Sequence, residues 1–228
     1  FVSCTIQQKI MAKKKTITVN DIISTYMDYV LEHNENPKSV YAFAKANNFE
    51  ESKFYDFFGS FEAIEKHIFE AFFKKTISVL EKSEDYKSFD ARNKLLSFYY
   101  TFFENLTANR SYVMYSLHRH KNGLKGLTLL SGLKKNFTSY IEELDIETLD
   151  IKQEQIDKIQ RRALQESAWL QFLLTIKFWM EDTSAAFEKT DIFIEKSVNT
   201  SFDVLNIAPL KSVIDFGKFL FKEKMHMN

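Results

Sequence analysis

The chain has 228 residues, 45% of them hydrophobic, and its 31 basic residues balance 31 acidic ones. That balance excludes disorder driven by charge repulsion and removes any global pull toward nucleic acid, so only local charge placement can attract it. The one cysteine, Cys4, excludes an intrachain disulfide scaffold; no apolar run approaches the roughly 18 residues of a spanning helix, and a soluble cytoplasmic protein with no membrane partner is expected.

Two Pro and five Gly are few for a chain that must turn often between strands, so an all-α fold is expected. Twenty-three Phe and ten Tyr form a bulky apolar supply that belongs in a core, a subunit interface or a pocket wall. The opening FVSCTIQQKI lacks the basic-then-apolar layout of a secretory signal. Met11, Ala12 and Lys13–Lys15 read as a natural beginning, with residues 1–17 an extension or arm.

Ile22, Ile23, Tyr26, Val30 and Leu31 recur at helical spacing and predict a first helix over Val19–Glu32, capped by Thr18. Pro37 suits the opening of a second short helix with Val40, Phe43 and Ala44 inward. Asn47-Asn48 suits a tight turn, because Asn tolerates left-handed backbone geometry. A third helix is predicted over Glu51–Phe58, with Phe54 and Phe58 on one face. Gly59-Ser60 interrupts, and Ser60 suits the cap of a longer fourth helix carrying Ile64, Ile68, Phe69, Phe72, Phe73, Ile77 and Leu80. The short pair with its tight turn has the size of a helix-turn-helix, preceded by a longer helix, with Phe43, Phe49, Phe54 and Phe58 supplying a small core. This module is expected over 18–65 and a larger body over 66–228.

After a polar break at Glu81–Ser88, Leu95, Tyr99, Phe102, Phe103 and Leu106 mark another amphipathic helix, followed by a shorter element over Tyr112–His118. Asn122–Gly132 reads as loop or helix start, continuing through Leu133, Phe137 and Ile141 to a break at Asp145–Asp150. Two long helices follow, near Gln153–Glu181 and Thr183–Leu205, and Pro209 opens a last one. In this body Tyr99, Phe102, Phe103, Met114, Trp169 and Phe172 are candidates to enclose an apolar ligand, the other reading being a packed core. Phe187, Phe193, Ile194, Val198 and Phe202 form a broad stripe suited to a homodimer interface or to packing within one chain.

The stretch SVYAFAKANNFEESKFYDFFGSFEAI, Ser39 to Ile64, resembles the TetR family of bacterial transcriptional regulators. Ser39-Val40 matches the family's Thr-Val start and Phe43-Ala44 its Ile-Ala pair. Asn47-Asn48-Phe49 occupies the turn, Phe54-Tyr55 and Phe58 the last short helix, and Ser60 and Glu62 part of the link. The resemblance implies an N-terminal DNA-binding module and a C-terminal helical domain. That domain dimerises through its last two long helices, holds a ligand internally and releases DNA when the ligand alters the spacing of the two modules. Lys53 and Tyr55 are then candidates for the DNA groove or its border, and Lys38 and Lys66 for phosphates.

Several positions depart from the family pattern. Asn48 stands where the turn commonly has Gly, and Gly59 and Phe61 stand where lysines are common. Glu50-Glu51 places carboxylates at the mouth of the recognition helix, where a helix N-terminus otherwise favours phosphate, and Asp56 lies on the same helix. From Met11 to Lys66, seven Lys face nine Asp or Glu, a net charge of −2.

No Cys/His metal framework, phosphate-cradling glycine loop or nucleophile elbow is visible, and no cofactor, metal or enzymatic reaction is expected. His118 and His120 sit at i,i+2 and point apart on a helix, while Glu142, Glu143 and Asp145 read as a solvated acidic boundary. The leading expectation is a dimeric repressor that binds double-stranded DNA and answers to an apolar small molecule. The alternative is a helical protein of the same type that binds no DNA and takes an apolar ligand or a protein partner.

Overall fold

The computed structural model describes residues 17–119, 128–146 and 154–205, with backbone alone for 154–157. All regular structure among the described residues is helical, and the chain divides into two compact units, 1–61 and 62–228.

In the first unit, α1 (Val19–His33) starts where the sequence predicts. The Thr18 hydroxyl accepts the Asp21 N–H and the Asp21 carboxylate accepts the Thr18 N–H, a reciprocal cap for two otherwise unbonded donors. Ile22, Tyr26 and Val30 fall on one face and are fully buried. The helix stops at Asn34, which takes a left-handed φ of 53°. α2 (Val40–Ala46) does not open at Pro37. Pro37 is buried in the preceding segment, and the Ser39 hydroxyl, accepting the Ala42 N–H, sets the helix start.

The turn places Asn48 at φ 57°, the geometry for which Asn replaces Gly at little cost. α3 (Glu51–Tyr55) is shorter than the predicted Glu51–Phe58, because the N–H groups of both Phe57 and Phe58 return to the Phe54 carbonyl and close the helix in a tight turn. α2 packs against α3. Phe43 is the centre of this unit. The rings of Tyr26, Phe49, Phe54 and Phe61 surround it edge-on, with centroids 5.6–6.3 Å away. Removing so buried a ring costs about 3–5 kcal/mol, a large part of what a small module has. Phe61 also lies 5.3 Å from Phe54, and the first compact unit ends at this ring.

The second unit contains most of α4 (Phe61–Leu80), then α5 (Glu84–Ser88), α6 (Ala91–Ala108) and α7 (Arg110–Arg119). It continues with α8 (Ser131–Glu143), α9 (Glu154–Glu181), a single turn of 3-10 helix at Ala185–Phe187, and α10 (Glu188–Leu205). α5 lies in a segment read from sequence as a break; the Ser83 hydroxyl accepts the Tyr86 N–H and nucleates its one turn. The Asp90 carboxylate caps α6 through the Asn93 N–H. α6 and α9 each pack against α10, and α8 packs against α9.

The last long helix begins at Glu188, not near Thr183. Asp182 is buried, and its carboxylate accepts four hydrogen bonds at 2.6–2.9 Å, from the N–H and hydroxyl of Ser184 and of Thr190. This bonding holds residues 182–187 as a corner in which Ala186 and Phe187 both have positive φ. The Lys13–Lys15 arm, His120 and the helix expected from Pro209 lie outside the described residues.

Candidate nucleic-acid interface and ligand site

The first unit turns Phe43, Phe54 and Phe58 inward and a polar, aromatic surface outward. Phe43 and Phe54 are fully buried, whereas Tyr41 is 58% and Tyr55 53% exposed, with Lys38, Lys45 and Lys53 also in solvent. The alternation follows from helical spacing, since residues next to a buried ring point away from it. Lys53 and Lys45 each have a partner. Lys53 Nζ lies 2.8 Å from an Asp56 carboxylate oxygen, and this hydrogen bond, with the charges of Asp56 and Glu50, raises the lysine pKa. The Tyr55 hydroxyl donates weakly to Glu51 at 3.4 Å. Lys45 stands 5.8 Å over the Tyr41 ring. Lys38, Lys53 and Tyr55 thus belong to the first unit, while Lys66 lies on α4 in the second, 4.0 Å from Glu62.

Of the six ligand-pocket candidates, five lie in one aromatic cluster. Tyr99, Phe102, Phe103, Trp169 and Phe172 are buried, and Phe172 is the hub, 5.1 Å from Phe102, 5.6 Å from Tyr99 and 5.6 Å from Trp169. Phe98 and Phe137 complete the packing, Phe137 stacking on Phe172 at 4.5 Å. Met114 is half-buried on α7. The Tyr99 hydroxyl is fully buried with no hydrogen-bond partner, and burial drives its pKa far above the ordinary tyrosine value. An unpaired hydroxyl in an aromatic interior is costly and gives this cluster a polar handle.

Several recesses could admit a small molecule, and two of them border the cluster, one at each end. At one end a cavity of about 340 Å³ is lined by residues including Phe73, Ile77, Glu81, Tyr86, Lys94 and Tyr140. There the Tyr140 hydroxyl donates to the Lys94 carbonyl at 3.0 Å and lies 2.8 Å from the Tyr86 hydroxyl, which donates to it. Tyr140 leans its ring on Phe98 at 4.8 Å, which connects this cavity to the cluster. At the other end a recess of about 250 Å³ borders Phe103 and Trp179. Sequence reading singled out neither Tyr86 nor Tyr140; Tyr86 stands in a polar segment, and only the fold brings it beside a tyrosine 54 residues away.

Two further polar features escaped the sequence. Glu65 on α4 is buried, and Arg119 on α7 approaches it at 3.4 Å. Arg110 donates to the carbonyls of Trp179, at 3.0 Å, and Met180, at 3.1 Å, satisfying groups left unbonded at the end of α9. Among the described residues no three His, Cys, Asp or Glu are placed to hold a metal ion, and no helix is long and apolar enough to cross a membrane.

A family model described as the tetracyclin repressor-like C-terminal domain matches residues 94–220. The match covers more than half of the chain, falls within the second unit, and leaves the α1–α3 module outside it. No curated protein matches the chain. By its C-terminal helical domain, the chain belongs to the tetracyclin repressor-like family.

Proposed function

We propose that the protein is a dimeric, cytoplasmic, ligand-responsive transcriptional repressor that binds double-stranded DNA through α2 and α3. One observation carries this reading: a capped pair of short helices, anchored by Phe43 and Phe54 and presenting Lys53 and Tyr55 outward, shares a chain with a tetracyclin repressor-like domain. Lys53 and Tyr55 would meet the groove or its border, and Lys38 and Lys66 the phosphates. Two-fold pairing would set two such modules against related half-sites. The surface suited to that pairing is on α9 and α10, where Leu170 is 58% and Leu174 51% exposed at i,i+4, with Ile192 also in solvent.

An apolar effector would act on the aromatic cluster around Phe172, entering through the Tyr86–Tyr140 cavity and finding the unpaired Tyr99 hydroxyl inside. Its effect would be a population shift between two spacings of the DNA-reading modules, with no covalent step. The test is selection of genomic fragments by the full-length protein at several salt concentrations. Recovery of a paired half-site, with binding that weakens as salt rises, supports the proposal. Failure to retain any fragment, with or without small-molecule extract, overturns it.

A second reading is favoured by Asp56 and Glu50, whose negative charges act on Lys53, and by Glu51 on the same helix. On that reading the module docks a protein partner or is silent, and the body alone binds an apolar ligand. The same selection separates the two.

A further inference from the structure

Between α4 and α6 the second unit has a groove of about 310 Å³ whose walls carry no aromatic ring. Thr76 and Val79 line it from α4, and Thr101, Asn105 and Ala108 from α6. The α6 positions stand at i, i+4 and i+7, along one face of that helix. The groove shares no residue with the Tyr86–Tyr140 cavity, and its α4 wall lies outside the residues matched by the family model.

The floor of the groove holds an unspent acceptor. Asn105 is 8% exposed and Thr76 1%. The Thr76 hydroxyl donates to the Phe72 carbonyl at 2.9 Å, and the Asn105 amide nitrogen donates to the same carbonyl at 3.3 Å. Only the NH2 end of an amide can face a carbonyl, so the orientation of Asn105 is fixed and its Oδ1 is the end left over. That oxygen is buried and has no hydrogen-bond partner. Buried polar atoms in folded proteins are nearly always bonded, so an orphaned acceptor on a residue that lines open space points to a donor brought by a ligand.

The rims of the groove add two charges. Lys75 on α4 and Glu104 on α6 both line it, and both are exposed. Among the described residues neither forms an ion pair, with the other or with a third group. A cation on one helix and an anion on the facing helix, unpaired across the gap, suit a ligand that carries both charges.

We propose that this groove binds a free α-amino acid with an apolar side chain. Its carboxylate meets Lys75, while its ammonium meets Glu104 and supplies the donor that Asn105 Oδ1 lacks. An ammonium has three N–H donors, enough to serve both acceptors. The apolar side chain lies along Val79 and Ala108. The volume stands at the small end of the range for ligand sites, which suits a molecule of this size. The site does not depend on DNA binding or on an effector in the aromatic cluster.

The experiment is calorimetric titration of the full chain, without DNA, with L-leucine, L-leucinamide and N-acetyl-L-leucine. The amide lacks the carboxylate and the acetylated probe lacks the ammonium. Leucine is expected to bind saturably, and each of the other two at least roughly fivefold more weakly, since each loses one charge pairing at a partly exposed site. Lys75→Gln should weaken leucine roughly threefold to tenfold and leave leucinamide unchanged. Glu104→Gln should weaken leucine on the same scale and leave N-acetyl-leucine unchanged. Both side chains are solvent-exposed, so both variants should keep the parent helical spectrum and melting profile. No saturable leucine heat, equal binding of the three probes, or parent-like leucine affinity in either variant would each overturn the assignment.

Discussion

Lys53 and Asp56 form an ion pair on the outward side of α3, with Nζ 2.8 Å from the carboxylate. The lysine proposed to meet the DNA groove or its border therefore already has a counter-charge. Both side chains are half exposed, so the pair is screened and adds little to folding. Its consequence is for binding, because any contact of the lysine with DNA must compete with Asp56.

If α3 reads DNA, Asp56→Asn should strengthen nonspecific binding at low salt by roughly threefold to tenfold, by freeing the lysine and removing a repulsive charge. Lys53→Ala should lower affinity and reduce the slope of log affinity against log salt by about one, whereas Lys82→Ala should change neither. Fluorescence anisotropy with a labelled duplex measures all three. An Asp56→Asn variant no tighter than the parent would disprove the competition.

Asp182 should make stability sensitive to acid. Burial alone would raise its pKa, but the hydrogen bonds from Ser184 and Thr190 outweigh burial and hold the carboxyl well below the usual carboxylate range. A depressed folded-state pKa contributes stability that is fully present above the unfolded value, about 3.9, and is lost as pH falls toward the folded value. Asp182→Asn should cost about 1–3 kcal/mol at pH 7, from lost charge-assisted bonds. The gap between parent and variant should narrow below about pH 4. Urea unfolding at pH 7 and pH 3 measures it; a gap of equal size at both would contradict the assignment.

Alkaline pH acts on a different set. Burial raises the pKa of Tyr99, Tyr112 and Tyr140 far above the ordinary tyrosine value, with Tyr86 adding to the effect at Tyr140. A neutral acid with a raised folded-state pKa favours folding less once the unfolded chain ionises, so stability should fall as pH rises through about 10. Ultraviolet titration should show exposed tyrosines ionising first and a late class appearing only with loss of the helical circular dichroism signal. Smooth ionisation of all ten tyrosines in folded protein would contradict this burial.

The exposed leucines test the dimer. Leu174 is half exposed, so Leu174→Glu removes little from the interior of one chain. In a dimer built on α9 and α10 the substitution buries a charge against an apolar partner surface, a heavy penalty. Sedimentation velocity should show the parent as a dimer and the variant as a monomer, with helical content unchanged. A variant that remains dimeric would move the interface elsewhere.

The start of α1, the tight turn and the inward rings of the small module were legible in the chain because each depends on neighbours a few positions apart. Thr18 at the first helix start, Asn48 at the turn, and Phe54 with Phe58 are short-range relations that one strand of text displays. The same reading overextended α3 and placed α2 at Pro37, where competing local bonds decided the boundary.

The body is different. Whether Tyr99, Phe102 and Phe172 wall a pocket or fill a core depends on how helices far apart in sequence rotate toward one another, and only their packing brings these rings within 5.1–5.6 Å of Phe172. Arg110 reaches a carbonyl 69 residues away, and Tyr86 a hydroxyl 54 residues away. Periodicity assigns a residue to a helix face but not to the partner that face will meet. Composition and spacing therefore determined an all-helical chain with a small capped module. Tertiary packing alone decided that its aromatic supply closes into a cluster with cavities at its ends.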